Sequence, residues 1–359
     1  MSIATLELEG SYQEQYSQLW DYCNELNMRN PRTNVVVKSE LEGGKSQFQR
    51  LYMCLAACKQ GFLDGCRPLI CLDGCHIKGI QPSQLLAVVT VDANNGMFPL
   101  AYAITKSECY DSWKWFLEIL REDLKIENSH SYVFMMDKQK GLIDAVDQLF
   151  PNAEHRHCLK HLYANFNKDH KGLTLKLQME SIARATTLPW FYDEMKKVLN
   201  LHEPSHTWQS NRNPSQWARS HFRAEFKCDI LLNNLSEAFN RSILNARGKP
   251  VLMMLEGVKM YIMLLMASRR ESIEKWHDQL GPRVIKVLEE NKRKGQWCIS
   301  KHAGKNKFQV RQEHKREFVV NLNAHTCGCR SWDISGIPCQ HACSAVSRFN
   351  GNPADYLDD

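Results

Sequence analysis

Apolar and polar positions alternate with two different periods along the chain. Residues 1 to about 66 are polar, with apolar side chains at helical spacing that is clearest from Gln13 to Leu26, and Asn30-Pro31-Arg32 interrupts them. This stretch reads as a helical N-terminal linker region. From Pro68 the period shortens. PLICLD (68–73), LLAVVTVD (85–92) and FPLAYAIT (98–105) are apolar runs of strand length, and Ala93-Asn94-Asn95-Gly96 between the last two is a hairpin-type turn. Asp111 stands where it can cap a helix SWKWFLEILRED, and SYVFMMD (131–137) predicts a fourth strand followed by another helix. Three strands, a helix, a strand and a helix make a mixed α/β core.

Beyond that core, strand signals vanish from about 159 to 232, and residues 174–201 look helical. The segment 234–247, NLSEAFNRSILNAR, is an amphipathic helix, and 251–276 is a long Met-rich one whose Met stripe reads as core filling. Its longest run without a polar side chain, Met260 to Ala267, is shorter than the roughly 18 residues of a spanning helix. Glu256 and Lys259 interrupt it further, so no membrane span is expected. After Gly295, KFQVRQ and EFVVNLN look like strands leading into a cysteine cluster. The pattern divides the chain into a linker (1–66), an α/β domain (67–280) with a helical insertion (about 159–232), a basic connector (281–317) and a small module (318–349).

Composition adds three constraints. A 359-residue chain with 24% charged and 43% hydrophobic residues suits one large domain plus a small accessory module. Its fourteen cysteines are scattered, and the start MSIATLELEGSY lacks the basic and apolar regions of a signal peptide. A reducing compartment is therefore expected, with most thiols acting as small buried groups. The net charge of +6 is unevenly placed: eleven Lys or Arg against four Glu between Arg283 and Phe318 give that stretch +7. A basic stretch beside a metal module suits contact with a phosphate backbone, although a solvated helix end and strand face would look the same on charge alone.

Two carboxylates stand where chemistry would place them. Asp73 and Asp137 each end an apolar strand, where a carboxylate is costly unless hydrogen-bonded, exposed or bound to a metal. Neighbouring Asp side chains repel unless a divalent cation lies between them. Other acids have simpler roles: Asp92 is a turn residue, Asp111 a cap, and Asp144 and Asp147 lie on an outer helix face. Glu108, near the end of the third strand, is kept as a supporting group. The C-terminal cluster is more specific. Cys327-Gly-Cys329, nine residues, then Cys339-Gln-His341 gives two close pairs of soft ligands joined by a loop with Gly336 and Pro338, a pattern that wraps tetrahedrally around one Zn²⁺ and needs it to fold. Cys343 and His325 are left out of that set. His155, His157, Cys158 and His161 also cluster, with Cys158 and His161 three apart on one helix face; four zinc ligands are not evident there.

Several motifs in fixed order then carry a family resemblance. GFLDGCRPLICLDGCHIKG (61–79), LLAVVTVDANNGMFPLAYAI (85–104), WKWFLEIL (113–120), MMDKQKGL (135–142), AEHRHCLKHLYANF (153–166), WARSHF (217–222) and NNLSEAFN (233–240) resemble the catalytic domain of Mutator-like (MULE) transposases. That family includes the domesticated far-red-response regulators of plants. The C-x-C-x9-C-x-H cluster after its strand resembles the SWIM zinc finger found at this end of such proteins. The resemblance implies an RNase H-like (DDE) core with catalytic residues Asp73, Asp137 and Glu237 holding Mg²⁺ or Mn²⁺, and a zinc site of Cys327, Cys329, Cys339 and His341. For Cys158 and His161 it implies a structural or substrate-positioning role, and for Cys75 and His76 packing against the active site. DNA is the implied partner, with a homo-oligomer or other transposase-family proteins beside it, and the nucleus the implied location. Two functions follow: DNA cleavage and strand transfer, or a non-catalytic DNA-binding regulator or interaction protein on the same fold. Residues 1–60 hold no paired ligand spacing of an N-terminal DNA-binding domain, so specific recognition of element ends is not expected from this chain alone.

Overall fold

The computed structural model describes residues 12–78, 83–276, 280–312 and 316–358. The first part of the expected N-terminal helix, and Glu313 and Lys315 of the basic stretch, lie outside these residues. The chain forms two compact units, Met1–Ala153 with Asn233–Lys275, and Glu154–Leu232 with Trp276–Asp359.

The first unit is a mixed α/β structure. Its strands are β1 (Asn34–Glu42), β2 (Lys45–Cys54), β3 (Leu69–Ile77), β4 (Ser83–Val91), β5 (Met97–Thr105) and β6 (Val133–Met136), in the order β1-β2-β5-β4-β3-β6. All neighbours are antiparallel except β3 and β6, which run parallel. β4 is central, and Leu85 to Val91 are buried without a break, as a strand covered on both faces requires. Helices Tyr110–Asp123, Lys140–Leu149 and Val251–Ile273 supply Trp113, Phe116, Val146, Met254 and Leu255 to the same core as Leu72, Val88 and Phe134.

Four expectations change here. Helix occupies Tyr12–Ser17, Leu19–Arg29 and Ala56–Gly65, but residues 34–54 form the β1–β2 hairpin rather than helix. Its turn, Gly43-Gly44, has φ of +59° and +79°, the positive pair that a tight two-residue hairpin demands, and Val35, Val36 and Val37 favour the strand. Asp73 does not end β3, which continues to Ile77 because β4 pairs with it down to Ser83. The helix expected to be capped by Asp111 starts at Tyr110 with Cys109 at the cap position. Asp111 instead sits in the first turn, where its charge complements the helix dipole. Finally, the buried stripe of Val251–Ile273 is Val251, Met254, Leu255, Val258 and Ile262, while Met260 and Met263 are exposed. The i, i+3, i+4, i+7, i+11 positions are taken by one Met and four other apolar residues, so most of the Met stripe is not core. By length and composition alone this 23-residue helix could cross a bilayer, a feature hidden by counting only runs free of polar residues.

The second unit begins with β7 (Glu154–His157) and four helices, Leu159–Asp169, Leu173–Arg184, Leu188–Leu201 and Glu203–Ser210, packed around Phe166, Ile182, Val198, Trp217 and Phe222. After the helix Pro282–Gly295 come β8 (Ile299–His302), β9 (Lys307–Arg311), β10 (Glu317–Asn321) and β11 (Thr326–Cys327), a sheet of order β11-β10-β9-β8. Short helices Ser331–Ser335 and Gln340–Ser347 close a second core of Phe308, Val310, Val320, Trp332 and Val346. The compact units thus group the helical insertion with the C-terminal module. One reason is Arg330, whose guanidinium donates to the carbonyls of Ser220 (2.6 Å), Arg219 (3.3 Å), Thr186 (3.4 Å) and Phe222.

Candidate metal centres

The carboxylate centre is built by strand register. Parallel β3 and β6 set Leu69 opposite Val133, Ile70 opposite Phe134 and Cys71 opposite Met135. Asp73 stands two residues beyond the last of these paired positions in β3, and Asp137 two residues beyond that in β6. Asp137 lies one residue past β6, and its Oδ1 accepts the Gln139 N–H at 3.0 Å. Here β3 leaves the deep core: its burial falls from complete at Leu72 to partial at Asp73, Gly74 and Cys75.

The third carboxylate arrives on the helix Asn234–Ser242. Asn233, at its cap, donates from Nδ2 to the Leu72 carbonyl at 3.2 Å. Asn240 donates from Nδ2 to Asp73 Oδ2 at 2.8 Å and accepts from the Cys75 thiol at 3.4 Å. Residues 233, 237 and 240 fall on one helical stripe. Both asparagines on that stripe bond β3, and Glu237 lies between them in the sequence of the helix. Cys75 thus packs against this centre, and burial pushes its thiol up to about 11. His76 Nδ1 lies 2.7 Å from Gln84 Nε2 across to β4.

Glu108 joins from the loop after β5. Its carboxylate lies over Gly74 so closely that a Cβ there would stand 2.6 Å from Oε2, and Trp113 Nε1 donates to Oε1 at 3.2 Å. Burial raises the Glu108 carboxyl above its usual range; the Trp113 hydrogen bond opposes this and the nearby Asp137 charge adds to it. The crowded negative charge and oxygen-rich donor set suit a hard divalent cation. Among the described residues, however, a group of metal-type ligand atoms all within 4.8 Å of one another occurs at the C-terminal cluster, not at these carboxylates.

At that cluster Cys327, Cys329, Cys339 and His341 converge, all buried. Cys329 Sγ and Cys339 Sγ are 3.5 Å apart, and His341 Nδ1 is 3.6 Å from Cys327 Sγ and 3.8 Å from Cys339 Sγ. Tetrahedral Zn²⁺ with its usual bond lengths requires S···S near ~3.8 Å and S···N near ~3.6 Å, so the residues present fit zinc. Hydrogen bonds from Cys327 and Cys339 hold the Cys329 thiol well below its ordinary value, and the same bonds push the other two up. A dication would replace those shared protons. The backbone is fixed around the ligands: Asp333 Oδ2 accepts the Cys327 N–H at 3.0 Å, and Thr186 Oγ1 donates to the Cys329 carbonyl at 2.6 Å. Cys343 bonds the Pro338 carbonyl instead, and His325 pairs with Asp358 at 2.7 Å while stacking on Trp332.

Cys158 is buried at the cap position of the helix Leu159–Asp169, directly after β7, and His161 is half-buried in its first turn. Sequence reasoning missed Asn233, Asn240 and Arg330. The spacing 233/237/240 around Glu237 was a usable signal for the asparagines; nothing local marked Arg330.

The chain therefore combines a mixed α/β unit that bears these carboxylates with a buried Cys₃His cluster that fits zinc. Residues 69–165 match the MULE transposase domain and residues 318–350 match the SWIM zinc finger, so the chain carries the Mutator-like transposase domain together with its C-terminal SWIM module. No curated protein matches the chain.

Proposed function

We propose that the chain acts on DNA as a metal-dependent transposase, cleaving a phosphodiester and joining the freed 3′-hydroxyl to a second DNA, on an RNase H-like core. The observation that carries this reading is the contact of Asn240 with Asp73, which brings the Glu237 helix to the strand that bears Asp73 and runs parallel to the one that Asp137 follows. Asp73, Asp137 and Glu237 would hold the Mg²⁺ or Mn²⁺. When bound, such ions supply the charge that activates the attacking oxygen and stabilises the leaving one. Asn240 orients the Asp73 carboxylate, and Trp113 orients Glu108 beside it. In the basic stretch, Lys292, Arg293 and Lys294 are paired with Glu289 and Glu290, whereas Lys301 and Arg311 are exposed cations of the β8–β9 hairpin that suit a phosphate backbone. The nucleus is the compartment this reading requires, and assembly with a second copy or another transposase-family protein would let two DNA ends meet.

DNA nicking and strand transfer in Mg²⁺ or Mn²⁺ test the reading, comparing wild type with Asp73→Asn and Glu237→Gln. Activity in the wild type that is lost in both variants supports it. DNA binding without cleavage by any of them would replace it with the non-catalytic regulator.

A further inference from the structure

We propose that Gln312 is a positioning residue of the zinc centre, whose carboxamide oxygen sets the tautomer of His341 so that the imidazole meets the metal through Nδ1. The inference rests on the zinc reading of the Cys₃His cluster. His341 is only 2% exposed, and its ring stacks on Phe318 with centroids 4.1 Å apart. That stacking fixes the ring plane but does not say which nitrogen carries the proton. Gln312, just past β9, answers it: its Oε1 lies 3.1 Å from His341 Nε2, on the opposite edge of the ring from the sulfurs. A carbonyl oxygen can only accept, so Nε2 carries the hydrogen and Nδ1 keeps its lone pair. Nδ1 is the atom that stands 3.6 and 3.8 Å from Cys327 Sγ and Cys339 Sγ. The Gln340 amide nitrogen also approaches Nε2, at 3.4 Å, and as a donor it would favour the other tautomer. That contact is longer, and the alternative would aim an N–H from Nδ1 at two metal-binding sulfurs, where a lone pair is required.

The choice of an amide is also physical. Three thiolates and Zn²⁺ already leave a net charge of −1 in a buried site. A neutral acceptor orients the imidazole without deepening that charge, as a carboxylate would.

The test uses the full zinc-loaded chain with ¹⁵N-labelled histidine. Long-range ¹H–¹⁵N spectra of the wild type should show His341 protonated at Nε2 and coordinated through Nδ1. In chelator competition, Gln312→Leu should weaken zinc binding about 10- to 100-fold, the usual loss for an outer partner of a ligating histidine. Gln312→Glu, which keeps the acceptor, should retain the Nδ1 signature and recover most of the affinity. Nε2 coordination in the wild type, or a folded Gln312→Leu with wild-type affinity, overturns the inference while leaving the zinc site standing. A wild-type chain that takes up no zinc overturns both.

Discussion

At the C-terminal cluster the four sulfur and nitrogen ligand atoms all lie within 4.8 Å of one another, whereas Asp73, Asp137 and Glu237 form no such group among the described residues. The difference follows from ligand chemistry. Thiolates repel one another, so a buried set this compact depends on a dication for its fold. Carboxylates repel one another without a cation, and here Asp73 accepts from Asn240 and Asp137 from the Gln139 amide. On the proposed reading, a divalent cation and substrate oxygens would complete such a set.

The widest expected contrast is metal removal. Stripping zinc by chelation, or Cys339→Ser, should take metal content from one per chain to none and remove a module-level stabilisation on the order of 10 kcal/mol. Amide exchange should then lose protection from Phe318 to Val346, while β3 to β6 remain protected. Unchanged protection in the module would erase the distinction between the two centres. Next in size is Arg330→Met, which deprives the carbonyls of Thr186, Arg219, Ser220 and Phe222 of a half-buried charged donor. Urea unfolding should register a loss of about 2–4 kcal/mol, and a neutral result would mean that zinc alone orders this region.

Asp73→Asn probes the open centre more gently. Asparagine keeps an acceptor for Asn240 but removes one negative charge from the carboxylate set, so the metal-free variant should melt no lower than wild type. With Mn²⁺ at about ten times its Kd, the wild type should gain about 1.4 kcal/mol, and the variant far less. Equal responses in the two proteins would place the ion elsewhere.

The two centres were also unequally legible. All four zinc ligands lie within fifteen residues, from Cys327 to His341, so spacing alone exposed them. Identifying Glu237 needed the family resemblance, because its partner strand is more than 160 residues away and a helix stripe does not say what it faces. Asn240 was legible only through its spacing from Glu237: an amide acquires a role only when the fold delivers an aspartate to it. The β1–β2 hairpin is a different failure. Its signal, three valines and a Gly-Gly turn, is local, but the polar residues on either side mask the strand period.

The smallest expected effect is on Glu108, and it tests whether the open centre carries strain from its own charge. Burial holds the folded carboxyl above its unfolded value near 4.5, with Asp137 contributing the same sign against the Trp113 hydrogen bond. The native state therefore binds this proton more tightly than the unfolded chain, so the group contributes no penalty below its unfolded value and costs stability as pH rises through its folded one. Glu108→Gln keeps an acceptor for Trp113 and cannot ionise. Its melting temperature should exceed that of the wild type at neutral pH in metal-free buffer, and the gain should vanish as the pH falls below 4.5. Saturating Mn²⁺ should shrink the gain as well, because a cation beside Asp137 offsets the repulsion that the substitution relieves. A variant less stable than wild type at neutral pH would mean that Glu108 is held by stronger partners than Trp113, and that the carboxylate centre is as pre-closed as the zinc site.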